Sequence, residues 1–441
     1  MTRAVVLGGG FAGVLASTVL REHVDEVVVV ERDRFPAAPA PRRGLPQSHH
    51  SHVLVTGGAR ALETLLPGTL QALYAHGAHR RGLPGDALIL SSEGWFHRFD
   101  CEAYFISCTR GLLDHVVRRR AGVRVVEGVE VVGLTGDAGR VTGVRVGPSE
   151  TIGADLVVDA TGRRSQAPRW LAEIGGPPIE EITVSTGLAY ATRICRAPEG
   201  FTGLPAVMLH PKAAPSRGGT LLPLEGDRWV VTLTGAQGSS PPLDEAGFLA
   251  FARSLRDPIV ADLLALATPE GPIRPFRDTA NRRRLFERAP LPAGFVAIGD
   301  AVVAVNPLYS HGMSVAALSA LRLRRELTSA GIGPGLQAAL VAEAEPSWRM
   351  AVERDQHVDG VPAGPEPSAH ALRVRARMAR ARLGSAELAA ELFHAQALIP
   401  APPLDQPARF HALTREPAPL LTADQARRQY PALTRGATIP R

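Results

Sequence analysis

The stretch "RAVVLGGGFAGVLASTVLREHVDEVVVVERD" leaves few folds open to the chain that carries it. Val5, Val6 and Leu7 make the short apolar run of a fully buried strand. Gly8, Gly10 and Gly13 follow as a G-x-G-x-x-G turn, a helix is expected to about His23, and "EVVVVE" is a second buried strand ending in Glu31. The three glycines serve different needs: a tight turn, close approach of the backbone to a pyrophosphate, and close packing of helix on strand. The helix N-terminus adds free N–H groups and a partial positive charge for phosphates. Glu31, at the tip of the second strand, is placed to accept from ribose hydroxyls. The pattern predicts an α/β chain that opens on a dinucleotide site, with Ala12 and Arg32 inside the same motif. NAD and FAD both remain open at this point.

Residues 294–327, "GFVAIGDAVVAVNPLYSHGMSVAALSALRLRREL", supply a second half to that site. A strand runs into Asp300, a loop holding Pro307 follows, and a long amphipathic helix begins at Gly312 and Met313. A carboxylate at the end of a buried strand can accept from a sugar hydroxyl, and a helix N-terminus beyond it can stabilise a delocalised anion. In a flavin enzyme these two groups bind the ribityl chain and polarise the pyrimidine end of the ring.

With both ends in view, residues 3–330 resemble the flavoprotein monooxygenases of the para-hydroxybenzoate hydroxylase fold. Gly8, Gly10 and Gly13 match their glycine turn, and Gly299 through Gly312 match their G-D-A-x-x-x-x-x-P-x-x-G-x-G segment, with Ser310 in place of its first later glycine. More narrowly, "GLPQSHHSHVLVTGGARALETLLPG", "CTRGLLD", "DLVVDATGRRS" and "GDAVVAVNPLYSHGMS" look like the actinobacterial flavin epoxidases of polyether pathways such as lasalocid and monensin. The resemblance implies FAD as cofactor, with Arg42 and Arg43 in a loop crossing the flavin and its diphosphate. It also implies that Arg110 touches the cofactor, that the strand around Val131 borders the adenine, and that Gly162 belongs to the middle motif. The aromatic hydroxylases read D-G-x-x-S there, and Thr161 stands in the place of that Asp. Their Asp is tied to both flavin and nicotinamide contacts, so the electron source is left as NAD(P)H or a separate flavin reductase.

Composition narrows the classes further. The net charge of +6 invites a nucleic-acid reading, but Lys212 is the only lysine, and arginine supplies the remainder of the 49 basic residues. The runs Arg118 to Arg120, Arg282 to Arg284 and Arg373, Arg375, Arg377 lack the interleaved aromatics of single-strand binders and are expected to be solvated faces. Nucleic acid is therefore not an expected partner. Cys101, Cys108 and Cys195 form no C-x-x-C and cannot all pair, which predicts a reduced, cytoplasmic setting. Residues 4–20 imitate the apolar core of a signal peptide, yet the three glycines and the charged "REHVDE" that follows fit strand, turn and helix better. No other stretch approaches the roughly 20 apolar residues of a membrane span, so a soluble monomer or homodimer is expected.

His49, His50 and His52 lie within four residues of one another, and imidazole is the commonest metal ligand. A metal site needs further ligands, and no Cys or carboxylate cluster of ligand spacing follows, so no metal is expected. Helix capping or core hydrogen bonds are the expected roles of His50 and His52, with proton delivery as the minority alternative. No Ser-His-Asp or paired-carboxylate signature appears elsewhere, and no W-x-W-x-I-P segment or lysine near the flavin supports a halogenase.

Between Arg163 and Arg274 the pattern changes to short alternating strands, "GLAYATRICRA", "PAVMLHP" and "GGTLLPLEGDRWVVTLTGA", followed by a helix pair. "DALILSSEGWFHRFD" and "AYFISCTR" are expected to join the same antiparallel sheet. Tyr104, Phe105, Tyr190 and Trp229 are expected in the core, and Tyr309 either there or in the pocket. "DGVPAGPEPSAH" is a Pro/Gly hinge, residues 371–398 read as helix, and a Pro-rich wrapping follows. The expected organisation is a Rossmann-like FAD-binding domain (three-layer ββα) of residues 1–80, 108–165 and 276–358. An antiparallel-sheet substrate domain of residues 81–107 and 166–275 is inserted into it, and residues 359–441 form the hinge and a C-terminal helical cap. The resemblance implies a monooxygenase that passes one oxygen atom from a flavin hydroperoxide to a lipophilic alkene, by epoxidation of a polyketide-type secondary metabolite. Aromatic hydroxylation, or reduction of isoprenoid double bonds by a flavin enzyme of this fold, is the alternative.

Overall fold

Alternation in the first two strands sorts the interior into two layers. Ala4, Val6, Val27 and Val29 face one core, and Val5, Leu7, Val28 and Val30 face another. In a computed structural model, which describes residues 2–147, 149–212, 216–236, 238–355, 368–401 and 419–434, these strands lie in a five-stranded parallel sheet. Its order is Phe295–Ala297, Leu156–Asp159, Arg3–Leu7, Glu26–Glu31, Val125–Glu127. Helices Phe11–Leu20, Arg110–Ala121 and Gly312–Ser329 cover one face. A three-stranded antiparallel sheet, Val131–Gly136, Val141–Val146 and Glu150–Gly153, covers part of the other through Leu134, Val141, Val144 and Val146. The result is the three-layer ββα arrangement of a Rossmann-like fold. The helix Leu336–Asp355 closes the second core with Val341, Ala344, Trp348 and Ala351.

A six-stranded sheet stands beyond this layer, in the order Thr268–Phe276, Ala189–Arg196, Arg228–Gly235, Arg217–Leu224, Ala206–Leu209, Ala87–Leu90. The strand with three prolines, Thr268–Phe276, takes an edge, where missing N–H donors cost least. Helices Glu245–Arg253 and Ile259–Leu266 bury Phe248, Phe251, Ile259 and Leu263 on the outer face.

Several expectations need correction. The sheet is not wholly antiparallel, because Ala87–Leu90 pairs in parallel with Ala206–Leu209. Tyr104–Ser107 does not join it, but pairs with Val53–Val55 and His79–Gly82 in a small sheet of its own. Thr56 is the local reason: its hydroxyl donates to the Tyr104 carbonyl and accepts from the Tyr104 N–H, each at 2.7 Å, and ties that strand to Val55. Arg282 to Arg284 form no solvated face. They occupy the strand Asn281–Arg284, where Arg284 is 3% exposed and holds Glu181 and the carbonyl of Ala301. The first helix ends at Leu20 rather than near His23.

The expected tail helix is two, Ala369–Gly384 and Ala386–Gln396, because the Ser385 hydroxyl caps the second by accepting from the Leu388 N–H. Leu383, Phe393 and Ala397 pack against Ile89, Phe96 and Phe105. The tail helix Ala423–Arg428 and Tyr430 reach the six-stranded sheet, where the Tyr430 hydroxyl donates to the Ala87 carbonyl. Most of the hinge and of the Pro-rich wrapping lies outside the described residues.

A Cβ on Gly13 would sit 1.9 Å from the Gly8 carbonyl oxygen, whereas one on Gly10 meets nothing within 4 Å. Gly13→Ala therefore overpacks the helix–turn contact and costs about 1–3 kcal/mol. Calorimetry of ligand-free protein should show a clear fall in Tm for Gly13→Ala and a much smaller change for Gly10→Ala.

Candidate functional site

A cavity of about 630 Å3 opens where the glycine turn, the loop of residues 42–52 and the Asp300 segment converge. That volume lies in the common range of small-molecule clefts. Gly8, Gly10, Ala12, Glu31, Arg32, Arg42, Arg43, Arg110, Val131, Gly162, Asp300, Pro307, Gly312 and Met313 all line it. Gly13 does not, and stands behind the wall as the packing glycine.

At one end, Gly8 has φ +92°, and a Cβ there would lie 2.8 Å from the Ala160 carbonyl, so only glycine suits the turn. Gly10 precedes the first helix and leaves its N-terminal N–H groups open to the cavity. Glu31 is buried; its carboxylate accepts from the Gly9 N–H at 2.8 Å and from the Asp33 N–H at 2.9 Å. Arg42 lies 3.2 Å from the same carboxylate and stacks over Phe35. Arg42 Nε is buried without a hydrogen-bond partner among the described residues. Arg110 opens its helix and is held by Asp114 at 2.7 Å, and Thr109 caps the same helix through the Leu112 N–H.

At the other end, Asp300 lines the cavity, and no hydrogen bond among the described residues reaches its carboxylate. Desolvation raises its pKa above the usual carboxylate value, against the opposing pull of Arg163, Arg110 and Arg284. Gly312 begins the long helix close by, where an added Cβ would lie 3.2 Å from Asp300 Oδ1. His311 precedes that helix and is 1% exposed. Its Nε2 must donate to the Gln396 carbonyl at 2.9 Å, because a carbonyl only accepts, so its Nδ1 accepts from the Ser347 hydroxyl at 3.0 Å.

The middle motif forms a floor between these ends. Asp159 is wholly buried and accepts from the Thr161 N–H at 3.0 Å, the Thr161 hydroxyl and the Ser165 hydroxyl. Thr161 thus spends its proton inside the protein. Arg163 reaches the carbonyls of Ala280 and Val305 and steadies the loop before Pro307.

His50 and His52 make internal hydrogen bonds rather than helix caps. His50 Nδ1 lies 2.8 Å from the Thr192 hydroxyl, and His52 Nδ1 donates to the His50 carbonyl at 2.8 Å. Burial first, then neighbouring imidazoles, lowers the His50 pKa to about 3. Burial and then Arg110 lower that of His52 to about 4. Among the described residues no three His, Cys, Asp or Glu side chains are grouped to hold a metal. No described helix is long and apolar enough to cross a membrane.

Tyr309 faces away from the cavity, with its hydroxyl on Asp355 and Arg354 over its ring; Tyr104, Phe105, Tyr190 and Trp229 are buried. Sequence reading missed Ser51, Phe276 and Trp170 in the cavity wall. The alternation of Thr232 and Thr234 in "VVTLTG" was a usable signal, since it marks a polar inner face on a strand.

Residues 2–177 match a family model described as pyridine nucleotide-disulphide oxidoreductase. Among solved structures, the flavin-dependent brominase Bmp2 superposes with a TM-score of 0.63 at 17% identity, over 94% of this chain and 98% of that one. The Diels-Alderase PyrE3 of pyrroindomycin biosynthesis gives 0.63 at 17%, over 91% and 81%. PqsL of Pseudomonas aeruginosa, a probable FAD-dependent monooxygenase, gives 0.60 at 15%, over 81% and 94%. The fold is therefore the one used by flavin-dependent monooxygenases and halogenases. The chain belongs to the family of Protein Rv3254 of Mycobacterium tuberculosis, with 31% identity over 373 residues, 79% of this chain and 78% of that protein. A stretch of 175 residues is 29% identical to Tryptophan 2-halogenase of Chondromyces crocatus, but covers only 30% of that protein.

Two measurements check the electrostatics. Folded pKa values below the ordinary 6.5 mean that His50 and His52 hold fewer protons in the native state than in the unfolded chain. Their stabilising effect is complete above about pH 6.5 and is lost as pH falls toward 4 and 3. NMR should show both imidazoles neutral from pH 8 to 5; titration of either near 6.5 contradicts the burial argument. Asp300 has the opposite sign, because a raised carboxyl pKa makes its charged form a cost that grows as pH rises through that value. Asp300→Asn should raise the Tm of ligand-free protein at pH 7 and weaken binding of any ligand whose hydroxyls the carboxylate accepts.

Proposed function

We propose that this chain is an FAD-dependent monooxygenase that transfers one oxygen atom to a lipophilic alkene, in the manner of the polyether-pathway epoxidases it resembles. The observation that carries this reading is the Asp300 carboxylate, without a hydrogen-bond partner among the described residues, in the cavity wall beside the N-terminus of the Gly312–Ser329 helix. A flavin fits what the residues offer: the open cradle at Gly10, the Arg42 Nε without a partner among the described residues, and Asp300 as acceptor for hydroxyls. Bound there, the flavin would supply two-electron chemistry and the activation of dioxygen.

The protein's own residues would bind and orient. Gly8, Gly10 and the first helix, with Arg32, Arg42, Arg43 and Arg110, would neutralise the diphosphate, and Glu31 with Val131 would border the adenosine. Ala12, Gly162, Pro307 and Met313 would shape the wall, and Gly312 would aim its helix at the ring. We assign residues 1–80, 108–165 and 276–358 to this cofactor half, and 81–107 with 166–275 to the substrate half. Oxygen transfer to an alkene asks no nucleophile or base of the protein. Lys212 is exposed and away from the cavity, so a halogenase-type lysine is lacking among the described residues. Thr161, whose hydroxyl is committed to Asp159, supports reduction by a separate flavin reductase rather than directly by NADPH.

Purified protein should load FAD, and Gly10→Trp should not. Anaerobic stopped-flow of the loaded enzyme with NADPH should show slow bleaching, with turnover restored by a flavin reductase. Absence of FAD binding sinks the reading, and fast bleaching by NADPH alone moves the protein toward the aromatic hydroxylases.

A further inference from the structure

The histidine stretch leaves a chain of hydrogen bonds that the proposed chemistry does not use. Ser51 lines the cavity. Its hydroxyl lies 2.6 Å from that of Thr232, which lies 2.8 Å from that of Thr192, which lies 2.8 Å from His50 Nδ1. Thr192 and Thr232 are cross-strand partners in the six-stranded sheet, 1% and 7% exposed, so the chain is fixed by the sheet register.

The chain can run in either of two senses, set by which ring nitrogen of His50 carries the proton. Each hydroxyl has one proton to donate, and a neutral imidazole donates from one nitrogen only. His52 has its tautomer dictated by a carbonyl, but Thr192 can donate, so nothing forces a proton onto His50 Nδ1. With the His50 proton on Nε2, which makes no hydrogen bond to the described residues, Thr192 must donate to Nδ1. Thr232 must then donate to Thr192, and Ser51 to Thr232. Ser51 is left with lone pairs alone to offer the cavity.

We propose that Ser51, held in this sense by Thr232, Thr192 and His50, is an acceptor subsite for a hydroxyl group on the lipophilic substrate. The inference rests on the cavity being the flavin and substrate site proposed above, and narrows its substrate to a molecule that carries a hydrogen-bond donor. An ether or ketone oxygen at the same place would face lone pairs with lone pairs.

The test is equilibrium dialysis of the protein as purified against naphthol and its methyl ether, with flavin content read by absorbance on the same samples. Wild type should prefer the naphthol by ~10-fold, the scale of one net hydrogen bond. Ser51→Ala should bring the ratio near one. Thr192→Val frees the Thr232 proton for Ser51, so Ser51 can turn its own outward; the ether should then bind more tightly than to wild type. Thr192→Ser should restore the wild-type preference. A damaged sheet would weaken both probes together and would not improve the ether. Equal binding of the probes to wild type, no binding of the naphthol, or a preference that survives Thr192→Val overturns the proposal. Loss of flavin alone counts against the cofactor reading instead.

Discussion

Everything at the cavity depends on how closely the first helix can be pressed onto the turn that starts it. Gly13 brings its backbone against the Gly8 carbonyl at a distance no side chain allows, and Gly8 in turn lies against Ala160. That contact fixes where the helix N-terminus points, and hence where anionic charge is favoured. Glu31 then locks the turn from the neighbouring strand through the Gly9 N–H and draws Arg42 in from the loop. The basic loop is therefore positioned by an acid whose own position follows from the parallel register of the first two strands.

Buried polar groups organise the remainder of the site. Asp159 gathers three donors beneath the cavity floor, and the six-stranded sheet turns a row of hydroxyls toward the loop of residues 49–52. Each group is costly to bury alone and inexpensive when paired, so such networks specify one arrangement of loop on sheet. Asp300 differs, as a desolvated carboxylate that no hydrogen bond among the described residues reaches. A protein tolerates that where a ligand supplies what is missing.

The parts of this fold legible in the sequence are those encoded over short separations. The strand, turn and helix around Gly8 to Gly13 and the Asp300 to Gly312 segment each carry their meaning within about one supersecondary unit. The Thr109 cap of the helix at Arg110 is equally local, a threonine directly before the helix it caps. What escaped was pairing at long range. Nothing near Tyr104 states that Thr56 will claim its backbone, and nothing near Arg284 states that Glu181 and Ala301 await it. The Ser51 to Thr232 contact joins residues 181 apart in sequence, and only the register of the sheet creates it. Ser385, by contrast, was a helix cap in plain view, followed by the glutamate of a first turn.

The far end of the chain is stitched into its beginning. His311 hands its Nε2 proton to the Gln396 carbonyl, and the Gly57 N–H donates to Ala397 at 2.8 Å, beside a glycine contact with Leu398 too tight for any Cβ. During synthesis the ribosome delivers the glycine turn first and these partners several hundred residues later. The Nε2 of His311, just before the helix that begins at Gly312, therefore lacks its partner until the segment around residue 396 arrives. Contacts of such separation are slow to close. The order of translation therefore delays the packing around Gly57 and His311 until residues 396–398 have emerged.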